Sequence, residues 1–340
     1  MMQQIDRRSF LAGGMTLAAS PALAMAETVA PVLDRLSPAL DRIVAPGTRI
    51  ETIAMGIRWA EGPVWVPGTG LLFSDPPANI VRRWTRQKGA VTFLNPSGAA
   101  RFDPKLVREA GANGLALSRD GALLLANSGG RSIDRLDLRT RRRTMLADRY
   151  QGRRFNSPND MHVARDGAIL FTDPPYGLAD GDASTLKEQP VNGVYRRAVN
   201  GTVTLLDGTL TRPNGIALSP NERRLFVSVS DEKNPHIMAY DLDARGMPIR
   251  FRVWLDARPM QRDGAPGLPD GMKIGPDGTH FCSVPGGMMI LTAEAEPLGL
   301  IRSGGPIANC AFGEGGRTLF MTANDRVLRL PLARDYGRRS

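Results

Sequence analysis

The sequence predicts an all-β fold, a single domain built as a six-bladed β-propeller and closed by a strand from near the N-terminus. Three observations carry this. Six segments of similar plan follow one another, each opening on a polar residue ahead of a short apolar run. Glycine and proline are plentiful, 37 and 26 of 340 residues, while helical patterns are scarce. One strand-like stretch, residues 49–55, precedes the first segment and has no partner of its own.

In chain order, residues 1–26 come first. Asp6-Arg7-Arg8-Ser9-Phe10-Leu11 leads into an apolar, alanine-rich run, and two A-x-A sites follow at Ala22-Leu23-Ala24 and Ala24-Met25-Ala26. A charged start, a short apolar middle and small residues at the end describe an export signal. The paired arginines beside Phe-Leu give it the twin-arginine character, so a periplasmic protein is expected. Residues 27–47 read as an N-terminal extension, and residues 48–335 as the propeller.

The repeats open at Glu61-Gly62-Pro63-Val64-Trp65, Asn113-Gly114-Leu115, Asn159-Asp160-Met161, Asn214-Gly215-Ile216, Asp270-Gly271-Met272 and Asn309-Cys310-Ala311. They are spaced by 52, 46, 55, 56 and 39 residues, room for four short strands each. Turns such as Arg119-Asp120-Gly121, Arg165-Asp166-Gly167 and Pro276-Asp277-Gly278 separate the first run from the second. The last repeat runs out after residues 327–330. Residues 49–55 are expected to supply its fourth strand, which closes the ring and removes an exposed sheet edge. The long insert at residues 176–192, in the third repeat, is either a wall of the channel mouth or a plain surface loop.

Composition narrows the function. The net charge of +10 falls to about +9 once residues 1–26 are removed. The arginines are scattered, apart from a cluster at Arg139, Arg141, Arg142 and Arg143, and no aromatic ladder accompanies them, so a solvated basic surface is expected and no nucleic-acid partner. No segment of the body reaches the roughly 18 apolar residues of a membrane span, so no stable membrane anchor is expected after signal removal. Cys282 and Cys310 are either buried thiols or a disulfide.

The openers carry the chemistry. The first strand of each blade lines the central channel, so Glu61, Asn113, Asn159, Asn214, Asp270 and Asn309 would converge at one end of the axis. Asn-Gly and Asp-Gly also form turns, but Glu61 is no turn former, and Asn159 and Asn309 are not followed by glycine. Carboxylate and amide oxygens suit one hard divalent cation. Only His162, His236 and His280 are present, without a zinc spacing. No G-x-S-x-G elbow or phosphate-binding loop occurs. Metal-assisted chemistry remains, a cation polarising an ester carbonyl and a carboxylate activating water. His162 reads as a channel or core histidine.

These residues resemble the SMP-30/gluconolactonase/luciferin-regenerating-enzyme family over roughly residues 50–332. The resemblance rests on Glu61-Gly62-Pro63-Val64-Trp65, Asn156-Ser157-Pro158-Asn159-Asp160, Phe171-Thr172-Asp173-Pro174-Pro175-Tyr176-Gly177, Arg212-Pro213-Asn214-Gly215 and Pro269-Asp270-Gly271-Met272. The second and third stretches are similar to the bacterial gluconolactonase branch. The resemblance implies a metal-dependent lactonase acting on a small-molecule sugar lactone. It implies one divalent ion, Ca2+ first and Mg2+, Mn2+, Zn2+ or Fe2+ as alternatives, held by Glu61, Asn214 and Asp270. Asp270 is then the catalytic base, with Asp160 or a metal-bound hydroxide as alternatives, and Asn159 and Asn113 bind substrate. Ser157 stands where the animal branch has arginine, so that branch's substrate contacts do not carry over; Arg153 and Arg154 are the candidates to substitute. A phosphotriesterase-type hydrolase and a non-catalytic ligand-binding propeller with a structural metal are the alternative functions.

Overall fold

The computed structural model describes residues 29–337, so the export signal lies outside the described residues. Among these residues there is no α-helix, and no helix is long and apolar enough to cross a membrane. Among the described residues six antiparallel sheets are arranged as blades, and a two-stranded ribbon pairs Arg149–Tyr150 with Arg153–Arg154. Blade one comprises Glu61–Val66, Gly70–Asp75, Ile80–Thr85 and Gly89–Leu94. Blade two comprises Leu115–Leu117, Leu123–Asn127, Ser132–Leu136 and Arg143–Ala147. Blade three comprises Met161–Val163, Ile169–Asp173, Gly193–Arg197 and Val203–Asp207, and blade four Pro213–Leu218, Arg224–Val229, His236–Leu242 and Pro248–Asp256. Met272–Ile274, His280–Val284, Gly287–Leu291 and Pro297–Arg302 make blade five; Asn309–Gly313, Thr318–Ala323 and Arg326–Pro331 begin blade six.

The second strand of a blade is covered on both faces by neighbouring blades. Leu123–Asn127, Ile169–Asp173 and His280–Val284 are accordingly buried at every position. Outer strands keep only one face covered, and Pro248–Asp256 leaves Ile249, Phe251 and Val253 exposed. Burial of the inner and middle strands between blades supplies most of the apolar area removed from water, at about 25 cal/mol per Å2.

Ring closure follows the expected plan. Glu51–Met55 pairs antiparallel with Arg326–Pro331, from Glu51 opposite Arg329 to Met55 opposite Arg326. Arg329 donates to Glu51 at 3.3 Å and to Glu314 at 2.6 Å, and Trp65 of blade one stacks on Phe320 of blade six at 5.4 Å. The first and last parts of the chain thus seal one seam, and no blade is left half-built.

The residues before the closing strand are integral to the body. Val32–Arg35 adds a fifth, outermost strand to blade five, with Val32 opposite Arg302. Leu40, Ile43 and Val44 then pack into the apolar core shared by blades five and six. Cys282 and Cys310 are free, fully buried thiols on neighbouring blades.

Candidate functional site

The openers sit where the inner strands crowd around the axis. Glycine beside an opener serves close approach there. A Cβ on Gly215 would lie 2.2 Å from the Asp270 carbonyl oxygen, and one on Gly62 2.1 Å from that of Asn113. Neither position tolerates a side chain, because the obstacle is the backbone of the next blade. Direct inter-blade bonds reinforce the ring, with Gly114 N–H donating to the Asn159 carbonyl at 2.6 Å and Gly271 N–H to that of Ala308 at 2.7 Å.

Five openers, Glu61, Asn113, Asn159, Asn214 and Asp270, line one cavity of about 1060 Å3 at the channel mouth. The sixth does not. Asn309 spends its amide on neighbours: Nδ2 donates to Asp160 Oδ2 at 3.2 Å, while Oδ1 accepts from Cys310 N–H at 2.8 Å and Lys273 Nζ at 3.4 Å. Asp160 is also engaged through Oδ1, which accepts from Met161 N–H. Its carboxylate is a braced neighbour of the site and not a wall of the cavity.

Glu61 and Asp270 are buried carboxyls. Glu61 accepts from Trp59 Nε1 at 3.3 Å and from Gly62 N–H at 3.1 Å. Burial, aided by the charges of Asp160 and Glu109, nevertheless raises it to about 8. Asp270 is raised well above the usual carboxylate range, first by burial and then by the charges of Glu61 and Asp160, against the Gly271 amide and Asn214. Among the described residues, neither carboxyl forms an ion pair with an arginine or lysine. Asn214 is fixed by its Nδ2, which donates to Ser230 Oγ at 2.9 Å, while the hydroxyl of Ser230 donates to the Pro269 carbonyl.

Two buried acids without a basic partner, flanked by amide oxygens, form a donor set that a hard divalent cation fits. The described residues contain no cluster of three or more His, Cys, Asp or Glu side chains able to hold a metal. The fit therefore depends on the asparagines completing the set.

Two sequence motifs prove to be one structural latch. The Asp173 carboxylate, at the end of the second strand of blade three, accepts from Asn156 N–H at 2.7 Å and Ser157 N–H at 2.8 Å. Ser157 Oγ donates to the Pro174 carbonyl and accepts from Gly177 N–H. Asn159 and Tyr176 are thereby set on the cavity wall together. Blade one repeats the device: Asp75 accepts from Arg58 N–H at 3.2 Å and Trp59 N–H at 3.3 Å, just before Glu61.

Other residues around the cavity escaped the repeat pattern. Tyr176 and Gly181 show that the insert at 176–192 contributes a wall. Glu109, Trp59, Arg108, Arg212 and Ser230 also line it. The arginines facing the cavity are Arg108 and Arg212; neither Arg153 nor Arg154 lines it, and Arg154 is turned to the Gly130 carbonyl. His162 does not line the cavity, and burial together with the charge of Lys273 lowers it to about 4, so it is neutral at pH 7.

Residues 59–325 match the family model described as the SMP-30/gluconolactonase/LRE-like region. A gluconolactonase of Zymomonas mobilis is 48% identical over 303 residues, covering 88% of this chain and 85% of the relative. Among solved structures, a gluconolactonase from Xanthomonas campestris superposes with a TM-score of 0.77 at 29% identity, covering 88% of this chain and 95% of that one. Regucalcin from Agrobacterium tumefaciens, a calcium-binding protein, has a TM-score of 0.65 at 18% identity, covering 84% and 94%, a likeness of fold alone.

Proposed function

The chain belongs to the SMP-30/gluconolactonase/LRE-like family, and from that premise we propose that it is a gluconolactonase-like hydrolase, opening a sugar lactone to its hydroxy acid. The observation that carries this reading is the convergence of Glu61, Asp270, Asn113, Asn159 and Asn214 on one cavity large enough for a monosaccharide lactone. The activities named for the relatives support the substrate class.

Glu61, Asn214 and Asp270 would hold one divalent cation, calcium first, since their carboxylate and amide oxygens suit a hard ion. Bound there, it would polarise the ester carbonyl as a Lewis acid and offset the buried negative charge. Asp270 holds a water molecule against the carbonyl carbon and accepts its proton as the new C–O bond forms. Asn113 and Asn159 orient the ring by hydrogen bonds from their amides. The channel-mouth walls limit bulk water around the reacting atoms.

The test is a pH-stat assay of aldonolactones and an organophosphate triester, with each divalent cation and with chelator. Cation-dependent acid release from an aldonolactone supports the reading. Turnover of the organophosphate alone would replace it with a phosphotriesterase. Silence on both, with cation bound, would leave a binding module with a structural metal.

We also propose periplasmic export through the twin-arginine pair. Replacing Arg7 and Arg8 with lysine should leave precursor in the cytoplasm; normal export of that variant would overturn the proposal.

A further inference from the structure

Glu109 is the carboxyl that the repeat pattern passes over. It lies four residues before the Asn113 opener and lines the same cavity. One oxygen, Oε2, is buried without a hydrogen-bond partner. Its backbone is clamped. Arg108 and Glu109 N–H both donate to the Gly177 carbonyl, at 2.9 and 3.4 Å, and the Arg108 guanidinium donates to the Tyr176 carbonyl. Val107 bridges to Leu178, and Ala179 N–H donates to the Leu106 carbonyl at 3.0 Å. A strap from the entrance of blade two is thus zipped to the insert of blade three, holding Glu109 over the channel mouth.

The other acids of this cavity are otherwise occupied. Glu61 and Asp270 belong to the cation set. Asp231 is lowered, first by its hydrogen bond from Thr211, and Glu232 is exposed. Lactone opening expels an alkoxide from the ring oxygen, a poor leaving group unless it is protonated as the bond breaks. Resting on the lactonase reading, we propose that Glu109 is the general acid that protonates the departing ring oxygen. Water adds to the carbonyl carbon and loses one proton to Asp270. The acyl–oxygen bond breaks, its electron pair goes to the ring oxygen, and the Glu109 proton completes the product hydroxyl. The proton held by Asp270 leaves to solvent and Glu109 is reprotonated from solvent, so one lactone and one water give one hydroxy acid.

The charges facing Glu109 agree with that role. Burial raises it to about 7, opposed by the Arg108 charge and the Asn113 bond. Glu61 feels the Glu109 charge across the cavity, while Arg212 and Lys233 line it from the blade-four side. In the cation-free protein Glu109 therefore holds its proton to higher pH than an ordinary carboxyl; a bound cation lowers that pH, and loss of the proton predicts a falling alkaline limb in kcat.

Glu109→Gln keeps the size of the side chain while removing the acid. In the cation-loaded protein, kcat on an aldonolactone should fall about 10²-fold with KM nearly unchanged, and the alkaline limb should disappear. In cation-free protein the infrared difference between wild type and Glu109→Gln should show a carboxylic-acid band at about pH 6 that is lost by about pH 9. A raised KM at unchanged kcat, a surviving limb, or no acid band would overturn the proposal. Should Glu109→Gln not fold, Glu109→Asp reports instead: a lowered kcat with the limb retained supports the proposal, and an unchanged kcat sinks it. Wild-type protein that opens no lactone brings down the lactonase reading and this one together. Wild-type turnover with an indifferent Glu109→Gln brings down this one alone.

Discussion

The latch of blade three and the channel mouth both bury carboxylates, but they treat the charge differently. Asp173 lies on two backbone amides, with Arg131 and Lys187 as further opposing charges, and burial still lifts it to about 7. Glu61 also accepts two hydrogen bonds, but the charges around it are those of the acids Asp160 and Glu109, and Asp270 feels Glu61 and Asp160. The latch is complete within the protein; the channel pair is the one to which the proposed cation would add a positive charge. Buried acids of one chemical type thus sit among opposing charges in one place and among further acids in the other.

The largest expected effect separates the two regions by activity. Asp270→Asn, with cation content verified, should lower turnover by about 10²–10⁴-fold, the usual cost of removing a general base. Near-wild-type turnover would remove Asp270 from that role.

Cation removal comes next. A carboxyl raised in the folded state stabilises the fold most below its unfolded value and loses that contribution as pH rises through the folded one. For cation-free Glu61 the window runs from 4.5 to about 8. A cation at a hundred times its Kd adds about 2.7 kcal/mol of stability. Chelation should therefore lower the melting temperature markedly at about pH 8 and little at about pH 5. Equal shifts at both pH values would mean that these carboxyls are not what the cation offsets.

Asp173→Asn should cost about 1–3 kcal/mol in chemical denaturation, because an amide presents one acceptor where two backbone N–H groups need partners. It should also raise KM, since Asn159 and Tyr176 lose their common anchor. Unchanged stability would make the latch incidental.

The smallest effect sharpens the contrast. Glu61→Gln in cation-free protein should be neutral or stabilising by less than about 1 kcal/mol at pH 8, since it removes a charge that burial disfavours, while cation content falls. A loss as large as that of Asp173→Asn would erase the distinction between the regions.

Much of the fold was legible because a propeller is written as repetition. The opener and the apolar runs recur at each blade, the Asp-Gly turn at blades two, three and five, and the orphan strand 49–55 had one vacancy to fill. Five of the six openers reach one cavity because equivalent positions in a closed ring point to the same axis. The glycine beside an opener was visible too, but its reason was not: turn chemistry and inter-blade contact leave the same letter in the sequence.

The sequence by itself determined the blade number, the seam and the oxygen-rich ring, all set by local pattern and by the geometry of closure. Only the tertiary structure decided that Asn309 turns to Asp160 and leaves the cavity, that Val32–Arg35 extends blade five, and that Glu109 and Tyr176 meet the openers at the mouth. Those outcomes depend on contacts between segments far apart in the chain. Residues 106–109 acquire their place by hydrogen bonding to residues 176–179, and no periodicity within either segment encodes the other.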